Sequence, residues 1–138
     1  MAPESDRPEG SEGPADPGRP EDARELPTEQ QVRDEIAREI LRIHEEAYGK
    51  GAVRAEALVA EGWVIVVLDE LELLPNEQFL IDNGKEEVVL QVRTDYEHAI
   101  QSSFSAAIER ATGRRVAGFA STTSMHEPRF MAEVFRLE

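Results

Sequence analysis

Three stretches of this chain carry residue types that do chemistry. The first is Gly49-Lys50-Gly51, two glycines around a lysine, as in loops that cradle phosphate. Such a cradle follows a strand and precedes a helix, so that free N–H groups and the positive end of the helix dipole meet the anion. Here the apolar periodicity runs helix, glycines, strand, which turns carbonyls and the negative dipole end into the corner. Lys50 is therefore expected to complement a helix end, and Gly49 and Gly51 to serve the backbone.

The second stretch is His44-Glu45-Glu46, whose side chains fan out around a helix because they are consecutive. Metal ligands on a helix need i, i+3 or i, i+4 spacing. Asp95 and His98 have it, and Glu35 and Glu39 on an earlier helix offer further carboxylates, but two ligands do not close a site. The third is "STTSMHE", which contains the hydroxyls and histidine of a nucleophile–base pair. In a strand, Ser124 and His126 share a face about 7 Å apart, beyond hydrogen-bond reach. No pair of carboxylates stands out against so acidic a background. No catalytic residue, metal or cofactor is expected, and the chain reads as a protein other than an enzyme. The rival expectation is a small-ligand- or metal-binding domain, or an enzyme of unknown reaction, built on Asp95, His98 and the first-helix carboxylates, or on a pocket gathering Tyr48, Glu77 and Arg93.

Composition narrows the partners. The chain has 138 residues, enough for one domain, and a formal net charge of -14 from 29 acidic and 15 basic side chains. Such a charge repels nucleic acid and anionic lipid. With no cysteine, disulfides and thiolate chemistry are excluded. The longest apolar run, Trp63 to Leu68, is far short of the roughly 20 residues that span a bilayer, and the amino terminus lacks the pattern of a signal peptide. A cytoplasmic location is expected.

The elements that position these residues are legible in the periodicity. Residues 1–27 hold six of the eight prolines and a net charge of -5 from eight acidic and three basic residues, the composition of a disordered acidic tail. The folded domain is expected over 28–138. It opens at Thr28, which with Gln31 has capping-box spacing. Val32, Ile36, Ile40, Ile43 and Ala47 then form a helix face, widened by Ala37, Leu41 and Tyr48. Val53 to Ala60 and Trp63 to Leu68 read as a hairpin turning at Glu61-Gly62. The second strand, apolar on both faces, should be central and covered twice, by helices on one side and a partner on the other. Trp63, Ile65 and Val67 are its candidate interface.

Pro75 opens a short helical turn that Asn83-Gly84 closes. A long helix follows from Lys85 to Thr112, with Val89, Val92, Tyr96, Ile100, Phe104, Ala107, Ile108 and Ala111 as its apolar stripe. Glu87, Gln91, Thr94, His98, Gln101, Ser105 and Glu109 form the opposite stripe. At roughly 42 Å it is long for the domain, so part should project or serve a second subunit. Gly113 ends it, and Val116 to Ser124 and Phe130 to Leu137 complete the order. The expected fold is α+β: an αββαββ two-layer sandwich, an antiparallel sheet of two hairpins with helices on one face.

Taken together, "IHEEAYGKG", "WVIVVLDE", "LLPNEQFL", the long helix with Arg93, "ATGRRV" and "EVFRL" resemble the MpsC-like domain, a bacterial family, over Gln30 to Glu138. The matching positions are Tyr48, Gly49, Gly51, Pro75, Glu77, Arg93, Thr112, Gly113, Arg114 and Val116. Leu74 departs from the pattern, because the family more often has Thr before the proline. The resemblance implies no catalytic residues. It implies an accessory role in a sodium-translocating, membrane-potential-generating or bicarbonate-uptake system, with a membrane-transport complex as partner. The chain's own patterning adds a homodimer as the expected assembly.

Overall fold

The computed structural model describes residues 26–138. The acidic segment expected to be a tail lies outside the described residues except for Leu26 and Pro27. The first helix, α1 (Glu29–Tyr48), starts on the expected capping box: the Thr28 side chain accepts from the Gln31 N–H, and the Gln31 side chain accepts from the Thr28 N–H. Ile36, Ile40 and Ile43 are buried along one face, and His44 and Tyr48 join them. Gly49 closes α1 in the left-handed conformation, φ 79°, with its N–H bonded to the Glu45 carbonyl.

Strands β1 (Ala52–Ala60) and β2 (Trp63–Leu71) form the first hairpin. β2 runs three residues beyond the apolar stretch, because Asp69 and Leu71 still pair with Arg54 and Ala52. Helix α2 (Pro75–Asp82) begins on its proline, and α3 (Glu86–Thr112) ends on Gly113, again left-handed at φ 72°. The hairpin of β3 (Val116–Ser124) and β4 (Phe130–Leu137) completes the chain. The sheet is antiparallel with order β1-β2-β4-β3, so the two hairpins meet along the central strands β2 and β4.

Alternation along the strands sorts the sheet into two faces. Val64, Val66 and Leu68 of β2 and Met131, Phe135 and Leu137 of β4 are buried against α1 and α3, together with Phe104, Ala107 and Ile108. Trp63, Ile65 and Val67 point the other way. Among the described residues nothing supplies the second cover expected for β2: Trp63 is 44% exposed, and Ile65 and Val67 are only half-buried.

Helix α3 departs from the expected stripe in its first half. Val92 and Tyr96 are 44% and 40% exposed, and Val88 is 42% exposed. The buried line instead steps Val89, Arg93, Glu97 and onward to Phe104 and Ile108. The reason is local: α3 begins against α2 and the end of α1, where polar groups wait for Arg93 and Glu97, and only its second half lies over the apolar sheet. Replacing Phe104, fully buried, by Ala is expected to cost about 3–5 kcal/mol. Urea unfolding of the two proteins measures it; a cost under about 1 kcal/mol would place Phe104 outside the core.

Candidate functional site

The residues that sequence matching singled out divide between two constructions. Gly49, Gly51, Thr112, Gly113, Arg114 and Val116 build the two corners where a helix hands over to a strand. At the second corner the Thr112 hydroxyl donates to the Ile108 carbonyl at 2.8 Å, and the Val116 N–H donates to the Glu109 carboxylate at 2.9 Å. Arg114 donates to the Glu138 carbonyl, tying the end of β4 to that corner. Lys50 is exposed at the first corner, where α1 presents its carbonyl end.

Tyr48, Glu77 and Arg93 build the other construction, and the fold does bring them together. Pro75 starts α2, which places Glu77 in its first turn with Oε1 accepting from the Leu74 N–H at 2.9 Å. Arg93 reaches the same carboxylate with a fork: Nε to Oε2 and Nη2 to Oε1, both 2.9 Å. Its guanidinium lies 4.6 Å from the centre of the Tyr48 ring. The Tyr48 hydroxyl donates to Glu97 Oε2 at 2.7 Å. These side chains are closed off from solvent rather than arranged around an open pocket: Arg93 is 1% exposed, Glu97 2%, Glu77 and Tyr48 6%.

Sequence reasoning missed the deepest members. Glu133 of β4 is fully buried and neither of its carboxyl oxygens has a hydrogen-bond partner among the described residues. Burial, and then the neighbouring Glu97 carboxylate, push Glu133 up to about 9. Glu97 and Glu133 are therefore the neighbouring carboxyl groups that did not stand out in the sequence, and Glu133 keeps its proton at neutral pH. The signal was present in "FMAEVFRL": Met131, Glu133, Phe135 and Leu137 alternate onto one face, which seats a glutamate in an apolar row. His44 was overlooked for a similar reason, since it follows Ile40 by four on the buried face of α1. Burial, and then the charge of Arg93, push His44 down to about 4, so it is neutral. Burial alone would raise Glu77, but the Arg93 guanidinium and the Leu74 N–H hold it below its usual range.

The other candidates do not converge. His98 and Asp95 are exposed on α3, and Glu35 is exposed on α1. Glu39 is engaged by Arg42 at 2.8 Å. Among the described residues no three His, Cys, Asp or Glu side chains gather as a metal site. The Ser124 hydroxyl meets only the backbone carbonyl of His126, whose ring turns to Glu86 at 3.4 Å.

One open feature adjoins the buried network. A cleft of about 320 Å³ separates α3 from β3, lined by Leu90, Thr94, Glu97, His98 and Gln101 on one wall and by 119–123 on the other. Glu97 lies at its floor, 3.4 Å from the Ser121 hydroxyl.

The family described as "Na+-translocating membrane potential-generating system (MpsC)" matches residues 28–138. No curated protein and no solved structure matches the chain. Among the described residues no helix is long and apolar enough to cross a membrane.

Two outcomes follow for the network. Arg93→Met strands the buried Glu77 carboxylate and is expected to cost about 3–5 kcal/mol, whereas adding Glu77→Met recovers much of the loss. Chemical denaturation of the single and double variants tests this, and an equally unstable double variant would assign the effect to packing. Glu133 is raised above its usual 4.5, so the folded state keeps a proton that the unfolded chain loses. Its contribution to stability is present at low pH and is lost as pH rises from 4.5 towards 9. His44, lowered from 6.5 to about 4, acts oppositely: its contribution is lost as pH falls from 6.5 to 4. From pH 6.5 to 9 the His44 contribution no longer changes, and stability is expected to fall with pH along the slope set by Glu133. Glu133→Gln should flatten it, as read from urea midpoints across that range; an unchanged slope would refute the assignment.

Proposed function

The chain belongs to the MpsC family, and from that premise we propose that it is a non-enzymatic cytoplasmic protein that self-associates through the outer face of its sheet. In this reading the dimer is an accessory part of a sodium-translocating, membrane-potential-generating system and does not itself cross the membrane. The family description supplies the system, and the sheet supplies the mode of assembly.

The observation that carries the reading is the uncovered face of β2. The strand register places Trp63, Ile65 and Val67 beside Leu58 of β1 and beside Phe130, Ala132 and Val134 of β4. Leu58 is 50% exposed. Four strands of eight or nine residues present a surface of roughly 19 by 30 Å, of the order needed for the about 800 Å² per partner of a stable interface. Face-to-face packing of two such sheets makes a sandwich.

Charge selects a second copy as the occupant. The whole chain carries -14, so two copies repel over most orientations. The outer face has two basic residues, Arg54 and Arg136, against Glu56, Asp69 and the Glu70 carboxylate that meets Arg54, a net of only -1. Arg136 also lies 4.7 Å from the centre of the Trp63 ring, which keeps it along that face. The non-enzymatic part of the reading draws on the network. Its ion pair, Arg93 with Glu77, is buried and closed on itself, which leaves neither group free to act on a substrate.

Size-exclusion chromatography with light scattering is expected to give a dimer, and Ile65→Lys a monomer with an unchanged circular dichroism spectrum. A wild-type monomer at high concentration would sink the self-association. The accessory role is tested separately: deletion of the gene should alter sodium tolerance or membrane potential, and growth indifferent to both would count against it.

A further inference from the structure

The sheet has a second open feature, distinct from its outer face. Among the described residues β3 is an edge strand, paired with β4 alone. Outside that ladder, 117–124 make no backbone-to-backbone hydrogen bond among the described residues. Exposed edges are ordinarily blunted by charge or proline. The other edge follows that rule, with Arg54 and Glu56 in β1. β3, "VAGFASTTS", contains neither a charge nor a proline.

The cleft beside it has an unusual lining. Phe119, Ala120, Ser121, Thr122 and Thr123 all contribute, although their side chains point alternately to opposite faces. Five consecutive strand residues line one cleft only through the backbone edge that they share. The cleft therefore runs along the unpaired N–H and C=O groups of β3, with α3 as the opposite wall. This is the geometry that accepts an extended chain as an additional strand.

The floor specifies what such a chain carries. Glu97 Oε2 already receives the Tyr48 hydroxyl, while among the described residues Oε1 has the 3.4 Å contact with Ser121. Glu133 lies behind it, and the nearest buried cation, Arg93, is committed to Glu77 by two 2.9 Å bonds. No lysine or arginine lines the cleft. A carboxylate floor without a basic wall is complementary to a basic side chain. The chain's own residues 1–27, with a net charge of -5, are a poor match to that floor.

We propose that the β3 edge and the α3–β3 cleft bind an extended segment of a partner protein by strand addition, with a lysine or arginine of that segment reaching Glu97. Backbone hydrogen bonds to β3 supply sequence-tolerant affinity, and the Glu97 contact selects the basic residue. The site is independent of the outer face, so a protein that is monomeric in solution still tests it.

The experiment titrates the full chain into a fluorescein-labelled heptapeptide, Thr-Val-Thr-Lys-Thr-Val-Thr, and into versions with norleucine or glutamate at the centre. Fluorescence anisotropy is expected to rank lysine above norleucine by at least tenfold in Kd, with glutamate weakest. N-methylation of alternate peptide nitrogens should abolish binding in one register and spare it in the other, because a strand edge uses every second N–H. Amide shifts should concentrate in 119–123. Glu97→Gln should remove the preference for lysine while leaving the norleucine peptide unchanged. Should Glu97→Gln fail to fold, Thr94→Trp, on the exposed face of α3, fills the cleft and should abolish binding of all three. Absence of binding, affinity indifferent to central charge or to N-methylation, or shifts centred on Trp63 and Ile65 would each overturn the proposal.

Discussion

A guanidinium that is 1% exposed must be paired, and the upper half of this domain is organised by that requirement. Arg93 leaves α3 for the carboxylate of Glu77, which reaches it only because Pro75 starts α2 two residues earlier. The same guanidinium lies over the Tyr48 ring at the end of α1 and directs Nη1 at the Met131 sulfur of β4, 3.7 Å away. One side chain thus touches all three helices and the sheet. Its demand for partners also sets the rotation of α3: with Arg93 and Glu97 turned inward, Val92 and Tyr96 face outward. The apolar side chains that a helical wheel would bury are displaced by charged ones whose partners were already in place.

That arrangement has a consequence on the far side of Arg93. Because the guanidinium is engaged by Glu77, it is not a partner for Glu133, which stays protonated beside Glu97. Removing Glu133 from water disfavours its ionised form, and the Glu97 carboxylate beside it disfavours that form further. The result is a buried pair under the α3–β3 cleft that gives the cleft floor its acceptor character. The interior of the protein in this way determines the chemistry of an opening on its surface.

The sheet, by contrast, is a nearly symmetric scaffold. Two αββ units each turn from helix to strand at a left-handed glycine, Gly49 and Gly113, whose N–H groups bond back to Glu45 and Glu109 at 2.8 Å. Pairing of β2 with β4 joins the units and leaves an apolar outer face on the same central strands. The polar interior belongs to one end of this scaffold, and the docking face, centred on β2, to its back.

Most of the fold was legible along the chain. The capping box at Thr28, the hairpin at Glu61-Gly62, the helix ends at Gly49 and Gly113 and the αββαββ order all depend on interactions within a few residues, which local sequence encodes. The double apolarity of "WVIVVL" likewise announced a central strand with two faces to cover. What only the tertiary structure decided was which partners lie far apart in sequence: Arg93 with Glu77, Tyr48 with Glu97, and Glu97 with Glu133. Periodicity assigns a residue to a face by its own hydrophobicity, so it placed Val92 and Tyr96 inside and left Glu97 unassigned, while Arg93 stood out only through the family resemblance. A charged side chain is buried when a distant partner offsets its loss of water, and that partner is named by the packing of elements, not by spacing along the chain.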